Sequence, residues 1–349
     1  MDNAKIEAFQ ERLFTELNSG MSMLTLQLGY QLGYFKALSE AGAINAKDFA
    51  SKTGTNERYA LEWLEAMAAG GYLEHKDGEF SLPAEYAEVL TQADSEWSAI
   101  GVLGWITSFA NVMPQLTEAF RNGDGVPYEE YGLDMVTAQA MGTRPMFLND
   151  YASKWIPAMP DVQKRLESGG KVAEVGAGLG WSSIALAKGF PNTTIDSIDP
   201  DDLSIKEAET TAKKEGVESQ IRFHLSTVEE EKIEGPYDLV TAIECIHDMP
   251  YPVQALTRMR QLAGADGAVL VVDEAVGDSL EENSNFMGHL FYNYSVLHCL
   301  PQAMGFPDSA ATGTVIKPSI LRKYAEEAGF SDLEVLPIEN GQFRFYRLR

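Results

Sequence analysis

Lys171-Val-Ala-Glu-Val-Gly-Ala-Gly-Leu-Gly-Trp181 is the stretch whose reading decides the fold. Val172, Ala173 and Val175 form an apolar strand pattern that runs into three glycines at alternate positions, Gly176, Gly178 and Gly180. Ser182-Ser-Ile-Ala-Leu-Ala-Lys-Gly-Phe190 then reads as a helix. A strand, a glycine turn and a helix leave a loop whose backbone a ligand can approach, because glycine has no Cβ in the way. Glu174 stands two residues before the first glycine and narrows the choice of ligand.

A dinucleotide fingerprint needs Gly-x-Gly-x-x-Gly, with the third glycine packing helix on strand. Trp181 occupies that position here. A carboxylate at Glu174 would also repel a pyrophosphate, whereas it would attract the ammonium and sulfonium of S-adenosylmethionine. A P-loop is excluded, since no Gly-Lys-Ser/Thr follows. Downstream, Phe190 to Asp199 reads as a turn and a second strand, followed by Pro200. An acid about 20 residues beyond a glycine loop commonly accepts the ribose hydroxyls, which is the role expected of Asp199. A helical run over residues 203–215 and strands over 220–225, 237–243 and 267–273 continue the alternation. Such alternation predicts an α/β fold with a parallel sheet and the ligand at the carboxyl ends of its strands.

Glu174-Val-Gly-Ala-Gly-Leu-Gly180 and Ile198-Asp-Pro-Asp201 resemble motif I and the following acidic motif of class I S-adenosylmethionine-dependent methyltransferases. Tyr237-Asp-Leu-Val-Thr-Ala-Ile-Glu-Cys-Ile-His-Asp-Met249 resembles the fourth-strand region of the O-methyltransferase branch. Plant-type enzymes of that branch carry His-Asp-Trp there. This chain is similar to a bacterial group with His-Asp-Met. The resemblance spans most of the chain. It implies a Rossmann-like catalytic domain with a mostly parallel seven-stranded sheet, behind an N-terminal α-helical winged-helix domain. It also implies methyl transfer to a small molecule, with O-methylation of a hydroxylated aromatic or polyketide-like acceptor as the leading expectation. His247 is then the expected general base, since an imidazole with a pKa near 6.5 can take a proton from a hydroxyl. Asp248 is at most an orienting neighbour.

The remaining site residues follow from the same resemblance. Glu174 is expected at the methionine end, directly or through the loop or a water. Gly176, Ala177, Gly178 and Gly180 are expected around the amino-acid portion and ribose, and Asp199 with Pro200 at the ribose. The family often places an acid after the third strand, on the adenine amine. This chain has Leu225-Ser-Thr-Val-Glu229 there, so Ser226 or Thr227 is the substitute. Glu244 and Cys245 lie where the cofactor's edge should pass, although Cys245 reads more readily as a small apolar core residue. Asn283 to Pro301 interleaves aromatics, Met and His. Insertions of this kind wall the substrate in the family, which nominates Phe291, Tyr292, Tyr294, Leu297 and His298. Core packing of an amphipathic helix is the competing reading, and the stronger one for Phe and Leu. No metal is expected, because His247, His289, His298 and Cys299 follow no fixed ligand spacing. No Gly-x-Ser-x-Gly elbow supports a hydrolase.

The chain of 349 residues is long enough for two domains, and 45% hydrophobic with 23% charged residues is ordinary for a globular protein. A formal charge of −25 opposes nucleic acid and anionic membranes. Two cysteines, Cys245 and Cys299, in no Cys-x-x-Cys pattern, suit a reducing cytoplasm. No basic-then-apolar leader opens the sequence. The uncharged run 97–117 is read as a buried helix, not a membrane span.

Residues 1–92 read as helices followed by a hairpin. Ile6, Phe9, Leu13, Phe14 and Leu17 recur at helical spacing, with a second helix over 24–38. Asn56 is a plausible N-cap for Glu57 to Ala69, and Asp77-Gly78 is a hairpin turn. Three helices and a hairpin make a winged helix, but 14 Asp and Glu against 7 Lys and Arg over residues 1–90 argue against reading DNA. The resemblance instead implies homodimerisation through this domain, which helps to close the partner's active site. Residues 93–160 are expected to form a helical linker bundle and residues 161–349 the catalytic domain. Two alternatives remain: a tailoring enzyme that holds S-adenosylmethionine for decarboxylation or hydroxylation, and a winged-helix DNA-binding regulator.

Overall fold

The computed structural model describes residues 1–349. Packing divides the chain into two units, residues 1–110 with 133–145 and residues 111–132 with 146–349. The expected linker of residues 93–160 is therefore shared between the units and is not a third body. Its helices are assigned by what they pack against, which sequence position does not reveal.

In the first unit α1 (Asn3–Gln31) is a single helix of 29 residues. The break expected near residue 24 does not occur. The chain turns only at Gly33, whose φ of 69° favours glycine, before α2 (Tyr34–Ala41). Next come α3 (Ala46–Thr53), and α4 (Glu57–Ala69), whose cap Asn56 accepts from the Arg58 and Tyr59 amides. β1 (Glu74–Lys76) and β2 (Glu79–Ser81) pair antiparallel around Asp77 and Gly78, both at positive φ, as an Asp-Gly hairpin requires. Trp63 organises the core: its ring meets Tyr34, Phe35 and Phe49, and its Nε1 donates to the Thr25 carbonyl at 2.9 Å. The uncharged run of the sequence is divided between helices Val102–Asn111 and Met113–Asn122. No helix is long and apolar enough to cross a membrane.

The second unit is built on a seven-stranded sheet. β3 (Lys171–Val175) leads through α5 (Trp181–Gly189) to β4 (Thr194–Asp199), and on through α6 (Asp202–Lys214) to β5 (Ile221–Leu225). β6 (Leu239–Ile243) follows, then α7 (Pro252–Ala263) and β7 (Ala268–Glu274). The strand order is β5-β4-β3-β6-β7-β9-β8, where β8 is Leu333–Val335 and β9 is Phe343–Leu348. The first five strands pair in parallel, and β9 runs antiparallel to both β7 and β8. β6 and β7 are buried throughout, as a parallel sheet covered on both faces demands. The chain winds outward from β3 in one direction and returns from β6 in the other. The order therefore reverses between β3 and β6, and the crevice at their carboxyl ends is where ligands of such sheets bind.

Candidate active site

Both sides of that crevice are lined by the motifs singled out in the sequence. On the β3 side, Gly176, Gly178 and Gly180 have φ of 73°, 50° and 76°. Each glycine has a different reason. A Cβ at Gly176 would lie 2.7 Å from the Cys245 Sγ, and one at Gly180 would lie 3.1 Å from Ala208 and Phe223. A Cβ at Gly178 would meet nothing within 4 Å, so this glycine borders open space. Asp199, at the end of β4, accepts from the Gly178 amide through Oδ2 at 2.8 Å and from the Asp201 amide through Oδ1 at 2.9 Å. Burial pushes its carboxyl up to about 6 against those two bonds. Ala177 is buried, with its amide on the Ile198 carbonyl. Pro200 is exposed. Ser226 is tied to the Asp199 carbonyl through its backbone amide, and Thr227 is exposed at the end of β5.

Glu174 differs from its expected placement at the loop mouth. It is 3% exposed, and its two oxygens accept from the Ser182 and Ser183 hydroxyls of α5. Ser183 also shares a hydrogen bond with Ser197, and Ser197 and Thr241 stand level with Glu174 on the neighbouring strands. Glu174 thus belongs to a polar belt across three strands, beneath α5, and ties β3 to that helix through the serines. Burial pushes its carboxyl up to about 7. Its position two residues before the first glycine suggested the loop, but the packing of α5 over it was not legible in the sequence.

On the β6 side, Glu244 is a non-glycine residue at φ 53°. It stands within electrostatic reach of His247, Asp273 and Asp248, and burial pushes its carboxyl up to about 8. This places Glu244 beside the histidine. Cys245 is the residue on the glycine-loop side, with its Sγ donating to the Val175 carbonyl at 3.2 Å. His247 is 3% exposed. Its Nδ1 lies 2.6 Å from Asp273 Oδ1 and 3.3 Å from Glu274 Oε2, and its Nε2 lies 3.3 Å from Asp248 Oδ1. Burial alone would lower the imidazole's pKa, but Glu274, Asp248 and Asp273 together raise it well above its ordinary value. Burial drives the Glu274 carboxyl well up, while His247 keeps Asp273 below its ordinary value.

Of the nominated substrate residues, two converge on this cluster. Tyr294 stands within reach of Glu244 and Glu274, and His298 within reach of Asp248 and His247. Burial lowers the pKa of His298, which keeps that ring neutral. Leu297 contributes its carbonyl, which accepts from the Tyr131 hydroxyl at 2.8 Å. Phe291 is buried and Tyr292 half-buried in the same helix, α8 (Phe286–Tyr294). His289 is exposed and takes no part.

Sequence reading missed several residues that belong here. Asp273 and Glu274 end the apolar strand β7, and an acid at the carboxyl end of a parallel strand was the available signal. Tyr131 and Tyr128 come from the expected linker and pack edge-on against His298, with centroids 4.6 and 5.7 Å away. Burial holds the Tyr128 phenol far above its ordinary pKa, helped by Asp199, Asp201 and Asp248. A cavity of about 550 Å³ between Ala275, Leu336, Asn340 and Phe343 contains none of these residues.

Sheet order, glycine loop and strand-end acids define a class I methyltransferase with S-adenosylmethionine as cofactor and an N-terminal winged-helix domain. Residues 173–269 match the family model for a methyltransferase domain, and residues 20–92 that for the Rv2258c-like winged HTH domain. No curated protein sequence matches the chain. Among solved structures, an O-methyltransferase-like protein from Nostoc punctiforme is 20% identical, with 97% of this chain and 98% of that chain covered at a TM-score of 0.71. Human N-acetylserotonin methyltransferase in complex with S-adenosylmethionine is 18% identical over 100% and 99%, with a TM-score of 0.69. The mitomycin 7-O-methyltransferase MmcR is 18% identical over 100% and 99%, with a TM-score of 0.67. At these identities the likeness is one of fold.

The residues present fit S-adenosylmethionine. The space beside Gly178 is one that a Cβ would fill, and Asp199 flanks it with one amide on each oxygen. A carboxylate has about four acceptor positions, so two remain for ribose hydroxyls. Gly178→Val is therefore expected to weaken S-adenosylhomocysteine binding by more than about tenfold in calorimetry. Strain at positive φ, about 1–2 kcal/mol, should lower the melting temperature by only a few degrees. Undiminished binding would remove the loop from the cofactor site.

Proposed function

We propose that the protein transfers the methyl group of S-adenosylmethionine to a hydroxyl of a small aromatic or polyketide-like molecule, with His247 as the base. The observation that carries this reading is the 2.6 Å bond from His247 Nδ1 to Asp273, which fixes the ring and leaves Nε2, 3.3 Å from Asp248 Oδ1, as the nitrogen for the acceptor. When bound, the cofactor supplies an electrophilic methyl group on a sulfonium, and the protein supplies positioning and proton removal. Asp199 and the Gly176–Gly180 loop hold the nucleoside. Nε2 of His247 accepts the hydroxyl proton, and Asp273 stabilises the resulting imidazolium. Tyr128, Tyr131, Tyr294 and His298 wall the acceptor and exclude water. The acceptors named for the human enzyme and for MmcR, N-acetylserotonin and mitomycin, support a small-molecule substrate. The test is release of S-adenosylhomocysteine against a panel of phenols and naphthols. Acceptor turnover without that product would instead support a tailoring enzyme that keeps its cofactor intact.

The same reading takes the protein to be a homodimer joined through its N-terminal domain. Ile6, Phe9, Leu13, Phe14, Leu17, Met21, Leu24 and Leu28 of α1 are all exposed in the single chain. An apolar stripe of that length marks an interface. Leu13→Glu with Leu17→Glu is expected to convert a dimer into a monomer in light scattering. A wild-type protein that is monomeric at micromolar concentration would refute the assignment. The free thiols Cys245 and Cys299 support a cytoplasmic setting. The acidic face of α4, with Glu57, Glu62 and Glu65 against Arg58, supports the absence of nucleic acid among the partners.

A further inference from the structure

We propose that the acceptor carries a basic nitrogen beside its hydroxyl, and that Glu244 reads it; this rests on the methyl-transfer reading above. Glu244, Asp248, Asp273 and Glu274 bring four carboxyl groups around a single imidazole, His247. Among the groups acting most strongly on Glu244, Asp273 and Glu274, His247 is the only cation. Arg344 stands opposite Asp273 in the β7–β9 register, but its guanidinium donates to the Val276 carbonyl and the Tyr346 hydroxyl. Asp273 holds the imidazole by a direct bond of 2.6 Å, and His247 acts on Glu244 through space alone.

The geometry of Glu244 singles it out. Its amide closes the sheet ladder on the Val272 carbonyl at 2.8 Å, and the backbone then turns to φ 53°. A non-glycine residue in that region is strained, and such outliers persist mainly at functional sites. Its Oε1 has no hydrogen-bond partner. Four more polar atoms of the cluster lack hydrogen-bond partners: Asp273 Oδ2 and His298 Nε2, on residues 0% and 3% exposed, and Asp248 Oδ1 and Glu274 Oε2, whose one charged neighbour is His247 at 3.3 Å. A neutral phenol offers one donor, which His247 takes. A carboxylated acceptor adds a like charge. A protonated amine offers up to three N–H donors and a second positive charge among four carboxyl groups. The phenol of Tyr294, beside Glu244 and Glu274, adds an aromatic wall suited to a cation.

The experiment measures binding of hydroxybenzylamine, hydroxybenzyl alcohol and hydroxybenzoate, as 3- and 4-isomers, to the S-adenosylhomocysteine complex of the full chain. The amine is expected to bind at least tenfold more tightly than the alcohol, and the carboxylate most weakly. Glu244→Gln should bring the amine down to the level of the alcohol, with circular dichroism reporting that the variant is folded. Equal affinities, or a lead for the carboxylate, would overturn the inference from wild-type protein alone. An amine preference that survives in Glu244→Gln would overturn the assignment to Glu244. If the affinities are equal while phenols are still methylated, the methyl-transfer reading stands and only the inference fails. If the amine leads but no hydroxyl is methylated, charge reading by the pocket is supported and the O-methylation reading fails.

Discussion

His247→Ala is expected to lower kcat for a hydroxyl acceptor by about 10²–10⁴-fold, with the affinity for S-adenosylhomocysteine close to that of the wild type. The two readouts separate because His247 sits with Asp273 and Asp248 on the β6 side of the crevice, whereas Asp199 and the glycine loop lie on the β3 side. The pH profile carries a further sign. The carboxyls around His247 raise its pKa well above the ordinary imidazole value, so the ring is freed to accept a proton only at higher pH than an ordinary histidine. Turnover should therefore climb with pH through and beyond neutrality. Asp273→Asn removes the charge that pairs with Nδ1, so the rising limb should move to lower pH while the plateau falls. A profile that is flat from pH 6 to 9, with kcat unchanged in His247→Ala, would show that the acceptor arrives already ionised or is not an oxygen.

Asp199→Ala is expected to weaken cofactor binding by about 100-fold. Two hydrogen bonds from ribose hydroxyls to a charged acceptor are worth about 3 kcal/mol together, and each 1.4 kcal/mol is tenfold. The substitution also frees the Gly178 amide, which Asp199 now holds at 2.8 Å. Asp199→Asn keeps an acceptor for that amide and should lose less.

Burial pushes Asp199 up to about 6, Glu174 to about 7 and Glu244 to about 8. A carboxyl whose pKa is raised by folding favours the folded state below its unfolded pKa. That contribution is lost as pH rises through the folded value. These three groups therefore cost the ligand-free protein increasing stability as pH rises from about 4 to about 8, and a cation bound beside Asp199 offsets that group's share. The rise in melting temperature caused by S-adenosylmethionine should be larger at pH 7.5 than at pH 5.5. An equal or smaller rise at pH 7.5 would mean that the buried acids do not face the cofactor's charge.

The methyltransferase half of the fold was legible because its signals are local. Gly176, Gly178 and Gly180 all adopt positive φ, and the strand expected to end at Asp199 ends there. The hairpin at Asp77-Gly78 and the Asn56 cap are equally local and stand where the residue types put them. α1 was less legible. Its apolar spacing marks a helix, but spacing alone does not say that the stripe faces outward or that the helix continues past Leu24 to Gln31. Tyr128 and Tyr131 escaped notice because nothing near them in the chain points to His298, some 170 positions away.

Local residue chemistry was enough to determine a glycine turn between strand and helix, an acid at the next strand's end and a histidine past the fourth strand. Those features depend on φ preferences and on the two-residue period of a strand, which neighbours along the chain set. Only the tertiary structure decided which acids act and where. Glu174 turned out to be bonded to serines beneath α5, and Asp273 turned out to hold the histidine. The reason is that a strand's period tells which face a side chain takes, while the partner across that face is set by packing between segments distant in sequence.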